Sequence, residues 1–307
     1  MRIFFALIAA LLLGSIIYAR ACAVLAFNPA NPAASGFANI FQDLFPGAAL
    51  NNANWCPNYP NATSCLALGG STNANQNASC DPAHTTVSGG AAHMLVTNTA
   101  SNGYPNDGAC MNTDGDPETR AGNPLHSFQP PAGATGAIWI EVQMTLPDNG
   151  CGASTCSVTG GVANEPSIFM GGVTPGAAIC QTGWPTCGEI DIAEFYGNNN
   201  NQDNHGGNCT SYHHDPTDYN LSLLTVGAAT ARTTCTNGNF TGTHYYGVLW
   251  MNASITFYFD RNPIFTTTNV VASSPMYLII FNITDTRVVD VTPSTIDIHS
   301  VNVWSHT

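Results

Sequence analysis

Three carboxylates fall within six positions at Glu189-Ile-Asp-Ile-Ala-Glu194, in a chain of 307 residues that holds only 19 Asp and Glu. Two carboxyl groups held close together can divide nucleophilic and acid/base work at a glycosidic bond. Side chains alternate along an extended segment, so Glu189 and Asp191 share one face while Ile190 and Ile192 take the other. Glu194 stands five residues from Glu189, an odd separation that sends it to the isoleucine face of a regular strand. One inserted residue, a β-bulge near Ala193, returns all three acids to one face. Glu189 and Glu194 then behave as residues four apart, about 13 Å between Cα atoms, and leaning together they bring their carboxyls to roughly 5 to 6 Å. That separation suits a retaining glycosidase, at about 5 to 5.5 Å, better than an inverting one at about 6.5 to 9.5 Å. Asp191, between the two, could hydrogen-bond Glu189 and by like-charge repulsion help Glu194 keep its proton. Spacing alone leaves two other readings open, a solvated acidic strand face and a calcium-binding segment. Apolar Ile and bulky Phe195 and Tyr196 make a poor oxygen-rich calcium loop.

Strands must position these acids, and the chain offers them. Alternating or β-rich runs between turn signals cover residues 137–146, 167–171, 189–196, 244–250, 255–260, 276–283 and 296–304. No stretch of helical length has a clear 3.6-residue period outside the first 23 residues. Ile255 to Asp260 followed by Arg261, Asn262 and Pro263 reads as a strand entering a hairpin turn. Short strands punctuated by Gly and Pro indicate an all-β sandwich or barrel, and a chain of this length can fold as one such domain over residues 24–307. A Cys-containing stretch at about 51–126, rich in Asn, Ala, Ser and Gly, reads as irregular.

The chain opens with a basic Arg2, an apolar run from Ile3 to Ile17 and an Ala-x-Ala exit, the pattern of a secretory signal spanning residues 1–23. That run is shorter than the roughly 20 residues of a membrane-spanning helix, which predicts a secreted, extracellular protein with no membrane association once the signal is cut. Of eleven cysteines, Cys22 falls at the cut and ten remain, an even set that predicts disulfides, with Cys151–Cys156 and Cys180–Cys187 as short-range candidates. Asn-x-Ser/Thr triplets at Asn61, Asn77, Asn208, Asn220, Asn239, Asn252 and Asn282 permit N-glycosylation. A net charge of -13 with six Lys and Arg excludes nucleic acid as a partner. A neutral polysaccharide, bound through aromatic faces and hydrogen bonds, fits the composition.

The segment Trp184-Pro-Thr-Cys-Gly-Glu-Ile-Asp-Ile-Ala-Glu-Phe-Tyr-Gly197 closely resembles the active-site strand of glycoside hydrolase family 16, above all its laminarinase (endo-1,3-β-glucanase) branch. The resemblance runs in order along nearly the whole chain after the signal. Phe41 to Gly47 with Trp55 is similar to the family's opening strand, Ile140 to Pro147 to its "FEARIKLP" strand, and Pro166 to Met170 to its "PAFWM" segment. His244 to Trp250 and Ser254 to Asp260 resemble its "FHTYAVEW" and "SITFYVDG" strands; Pro275 to Asn282 and Ile296 to Trp304 resemble the closing strands.

The resemblance implies a concanavalin A-like jelly-roll β-sandwich of two curved antiparallel sheets with a glycan cleft across one of them. It implies Glu189 as nucleophile, Asp191 as assisting carboxylate and Glu194 as acid/base. Trp184 matches a cleft tryptophan whose flat face can stack on a pyranose. Phe169 stands where the family often has a sugar-binding Trp, and Gln143 replaces a substrate-contacting Arg. His244, Tyr196, Asn282 and Trp139 are further candidates for contact with sugar; a buried hydrogen-bonded role competes for His244, strand-end packing for Tyr196 and core packing for Trp139. His213-His-Asp215 reads as a polar loop rather than a metal site, and no metal is expected in catalysis, though the pattern leaves room for a structural calcium. The implied activity is secreted, retaining hydrolysis of β-1,3 or mixed β-1,3/1,4 glucan by a monomer without a catalytic cofactor. A transglycosylase on the same scaffold and a non-catalytic β-glucan-binding protein are the alternatives.

Overall fold

The computed structural model describes residues 25–59, 65, 69–70, 77–114, 125–148, 162–172, 188–195, 208–213, 233–236, 239–268, 275–284 and 291–307. Its strands are β1 (Ala38–Asp43), β2 (Gly69–Gly70), β3 (Ala78–Cys80), β4 (Thr85–Ser88), β5 (Ala91–Val96), β6 (Asn106–Asn112), β7 (Ala137–Leu146) and β8 (Glu165–Gly172), followed by β9 (Glu189–Phe195), β10 (Asn208–His213), β11 (Thr233–Thr236), β12 (Gly242–Met251), β13 (Ser254–Phe259), β14 (Asn262–Thr267), β15 (Met276–Ile283) and β16 (Ser294–His306). They form two sheets packed face to face. Sheet A runs β14-β13-β12-β7-β16-β5-β4, with β1 also on β16; sheet B runs β11-β10-β9-β8-β15-β6-β3-β2. The expected all-β jelly-roll sandwich is therefore the fold. Pairing is antiparallel throughout except for β3 and β6, which run parallel.

The core between the sheets follows from alternation. Ile138, Ile140, Val142, Met144 and Leu146 of β7 point inward and meet Ile168 and Met170 of β8, Ile190 and Ile192 of β9, and Leu278 and Ile280 of β15. Fully burying each such side chain contributes about 1.5–3 kcal/mol. A smaller cluster lies on the outer face of sheet A, where Trp139 packs on Phe37 and Leu249 beneath Leu25 and Phe27. A third, on the outer face of sheet B, joins Phe169, Tyr277, Ile279 and Phe281, with Tyr59 packed on it.

The hairpin expected after residue 260 is present and tight. Phe259 pairs with Asn262 across Asp260 and Arg261, whose φ values of 47° and 63° are those of a type I′ turn. Pro263 lies in β14, an edge strand, where a missing N–H costs no ladder bond.

The stretch at about 51–126 departs from its expected irregularity, because residues 69–112 contribute five strands. β6 reads Asn-Asp-Gly-Ala-Cys-Met-Asn, yet every residue is buried, since β3 and β15 flank it and Cys80–Cys110 ties it to β3. Cys56–Cys65 is the second disulfide among the described residues. The two short-range disulfide candidates and the signal lie outside the described residues.

Candidate active site

β9 carries the bulge that its spacing requires. Asp191 pairs with Phe169 of β8 and Ala193 with Ile168, so β9 advances two residues while β8 advances one. On the other side Glu194 pairs with Cys209 and Asp191 with Ser211, the same single-residue excess. Ile192 and Ala193 are consecutive and both enter the inter-sheet core, which a regular strand forbids. Glu189, Asp191 and Glu194 thereby stand on the outer face of sheet B. Across β8 their partners are Gly171, Phe169 and Ser167, so Glu189 and Glu194 span four positions of a regular strand, about 13 Å.

The middle acid is tied to the neighbouring strand. Asp191 is buried and accepts a 2.5 Å hydrogen bond from Ser211 Oγ on β10. Glu189 and Glu194 are partly exposed. Phe169, directly opposite Asp191, lies on the acid face as floor, edge-on to Phe281 with ring centroids 5.3 Å apart.

Two residues of this face had gone unnoticed in the sequence. Glu165 of β8 lies two positions before Ser167 and so shares its face, buried, opposite Ile283. Tyr59 arrives from a segment that crosses the same face. Cys56 exchanges backbone hydrogen bonds with Asn112 of β6 at 2.8 and 2.9 Å, and Asn112 Nδ2 donates to Asn58 O at 2.5 Å. Asn58 Oδ1 in turn accepts from Tyr59 N–H at 2.8 Å. Burial, then the carboxylates of Glu189, Glu165, Glu194 and Asp191, push the Tyr59 hydroxyl well above the usual phenol range. The phenol therefore stays protonated and is a hydrogen-bond donor facing four carboxylates. Even spacing from Phe169 could have exposed Glu165; Tyr59 sits in a segment without strand periodicity and left no signal.

Three expected sugar contacts lie elsewhere. Asn282 on β15 is 1 % exposed and points between the sheets, where Nδ2 donates to Met94 O at 2.8 Å and Ser294 O at 3.2 Å. Its parity is that of Leu278 and Ile280, opposite to Phe281 on the acid face. Trp139 belongs to the outer cluster of sheet A, with Phe27 and Tyr258 rings each at 5.0 Å, away from the acids. His244 is on β12 of sheet A with the inward parity of Tyr246; its Nδ1 is 2.8 Å from Asp260 Oδ2 and its Nε2 is 3.3 Å from Thr241 O. It is a hydrogen-bonded residue at the margin of the core rather than on the acid face. Trp184 and Tyr196 lie outside the described residues.

The chain is similar to known proteins in part of its sequence and in its fold. The family model described as glycosyl hydrolases family 16 matches residues 169–289, which include all three acids. No curated protein sequence matches the chain. Among solved structures, an endo-β-1,3-glucanase from Pyrococcus furiosus superposes with a TM-score of 0.61 at 18 % identity, covering 88 % of this chain and 95 % of that one. The laminarinase from Rhodothermus marinus gives 0.60 at 17 % identity, covering 87 % and 97 %. A mutant of SCLam, a non-specific endo-β-1,3(4)-glucanase from family GH16 co-crystallised with a β-linked glucan oligosaccharide, gives 0.61 at 17 % identity, covering 87 % and 94 %. The laminarinase-like resemblance to family 16 thus extends from the Trp184–Gly197 motif to the family model and the fold.

Proposed function

We propose that this laminarinase-like chain is a secreted, retaining endo-β-glucanase that cleaves β-1,3 or mixed β-1,3/1,4 glucan. The observation that carries the reading is the bulge at Ile192 and Ala193. It converts an odd spacing into three carboxylates on one sheet face, with the two partly exposed glutamates four strand positions apart. Glutamates leaning together over that span bring their carboxyls to roughly 5 to 6 Å, the separation of a nucleophile and an acid/base.

In the first step Glu194 gives its proton to the glycosidic oxygen as the C–O bond breaks, and a Glu189 carboxylate oxygen bonds to the anomeric carbon. In the second, Glu194 takes a proton from water, whose oxygen attacks the anomeric carbon and releases Glu189. Asp191, fixed by Ser211, lies between the two. Tyr59, which keeps its proton, is placed to donate to a carboxylate and so position it. The apolar floor of Phe169 and Phe281 excludes water beneath the sugar, which strengthens these electrostatic interactions.

Glu189→Gln tests the mechanism. It should abolish release of reducing sugar from laminarin and lichenan while oligosaccharide binding persists, and unchanged turnover would refute the assignment. Transfer of the glycosyl unit to an added acceptor sugar in place of water would favour a transglycosylase, and binding without turnover in the wild type a glucan-binding protein.

A further inference from the structure

At the edge of the sandwich, the chain leaves β3 of sheet B and turns through Asp81-Pro-Ala-His84 into β4 of sheet A. Pro82–His84 is a single 3-10 turn, capped by Asp81, whose Oδ1 accepts from Ala83 N–H at 2.8 Å. A 3-10 turn has three residues, so positions three apart eclipse, and Asp81 and His84 stand side by side. The parallel pairing of β3 with β6 brings a third group to them. Asp81 N–H donates to Gly108 O at 2.9 Å, next to Asp107. Asp107 is buried, and its backbone exchanges hydrogen bonds with Thr97 at 2.7 and 3.1 Å. Ser79 Oγ occupies one of its carboxylate oxygens at 2.6 Å.

The other Asp107 oxygen, Oδ2, is 4.0 Å from His84 Nε2, beyond hydrogen-bond reach. One donor atom from each of Asp81, His84 and Asp107 lies within 4.8 Å of the others. His84 Nδ1 is shut from solvent and has no hydrogen-bond partner among the described residues. Three groups from two chain segments thus converge with backbones already fixed: Nε2 of the His84 ring approaches Asp107, and the other ring nitrogen, Nδ1, is buried with no hydrogen-bond partner among the described residues. Donors around a tetrahedral ion, at about 2.0–2.2 Å from it, lie about 3.4 Å apart, so the side chains need to draw in by little more than about 1 Å.

We propose that Asp81, His84 and Asp107 form a binding site for a divalent transition-metal ion of the zinc class, which clamps the β3–β4 corner to β6. An imidazole selects for zinc-like ions over calcium, which takes oxygen ligands. Ser79 is the outer partner that orients Asp107, as metal-bound carboxylates require. The ion would take three protein ligands and leave a position for water. Its place next to Cys80–Cys110 gives the edge of sheet B a second fastening. The proposal does not depend on the glycosidase reading, because its readouts are metal content and stability.

The test uses full-length protein stripped with a chelator and titrated with zinc chloride by calorimetry, with metal content measured by mass spectrometry. One equivalent of zinc should bind and raise the Tm. His84→Gln and Asp81→Asn should each weaken binding at least tenfold and abolish most of the Tm rise; Ser79→Ala should weaken it by about 10- to 100-fold. Asp81→Asn keeps a residue able to cap the turn, so its metal-free Tm should stay near that of the wild type and separate ligand loss from misfolding. The site is overturned if no zinc binds, if both ligand variants bind zinc as tightly as the wild type, or if equimolar calcium displaces zinc.

Discussion

Replacing Asn282 separates a residue that ties two sheets together from one that touches sugar. In Asn282→Asp the shape is kept, but the donor group that spans to Met94 O and Ser294 O becomes an acceptor. A buried carboxylate facing two carbonyls must take up a proton, after which it can donate to only one of them. Holding a carboxyl of ordinary pKa about 3.9 protonated at pH 7 costs about 4 kcal/mol at 1.36 kcal/mol per unit. The lost hydrogen bond adds about 1 kcal/mol. The expected destabilisation is about 5 kcal/mol at pH 7, comparable with the whole stability of a marginal domain. The sign with pH follows: the variant's carboxyl is raised in the fold, so its deficit against the wild type shrinks as pH falls toward 4 and grows as pH rises. Asn282→Ala, which loses both bonds and leaves carbonyls to find other donors, should cost about 2–4 kcal/mol with no such pH dependence. Urea unfolding followed by tryptophan fluorescence at pH 5 and pH 7 measures both, alongside KM on laminarin. A variant of unchanged urea midpoint whose KM rises severalfold would put Asn282 in the glucan cleft and refute the inter-sheet placement.

Other consequences are as direct. Arg261 holds the buried Glu141 by a two-point fork, at 2.8 Å from Nε and 3.0 Å from Nη2, and lies over the Tyr245 ring at 4.0 Å. Arg261→Gln should cost about 3 kcal/mol in urea unfolding, and Arg261→Lys should recover only part of it because a point charge cannot form the fork. Tyr59→Phe, which removes the donor facing the acids, should lower kcat about 10- to 100-fold with KM little changed; a pure KM effect would make Tyr59 a simple wall. Burial drives the hydroxyls of both Tyr59 and Tyr246 well above the usual phenol range. In the unfolded chain they ionise near pH 10 while in the fold they stay protonated, so their contribution is intact below pH 10 and lost as pH rises beyond it. Stability should fall by about 3 kcal/mol per pH unit above pH 10, with the phenolate absorbance of these two tyrosines appearing only as the protein unfolds.

Parity decided which features could be read in advance. Ile190 and Ile192 fixed the core face of β9, so the odd position of Glu194 demanded a bulge, and the register contains it. β15 and the first half of β7 offered no such guide, because β15 is buried on both faces and β7 nearly so. Where apolar side chains face both ways, composition cannot say which face bears the sugar. Asn282 and Trp139 were misplaced for that reason: one bonds to the opposite sheet, the other is capped by Leu25, Phe27 and Phe37. β6 was missed because polar side chains fill it. Its burial depends on β3, β15 and a disulfide partner 30 residues away, none of which leaves a local pattern. Tyr59 reached the acids by the same kind of long-range tie, through Asn112.

The account turns on Glu189 and Glu194 sharing a face closely enough for a covalent glycosyl-enzyme. Incubation with an activated fluoro-sugar glucoside, which forms that intermediate but stalls its hydrolysis, followed by peptide mass spectrometry, tests it most directly. The prediction is one sugar per protein, attached at Glu189, with labelling retained in Glu194→Gln because an activated leaving group departs without a proton. A label on another residue, or an active enzyme that forms none and releases product of inverted anomeric configuration, would contradict it.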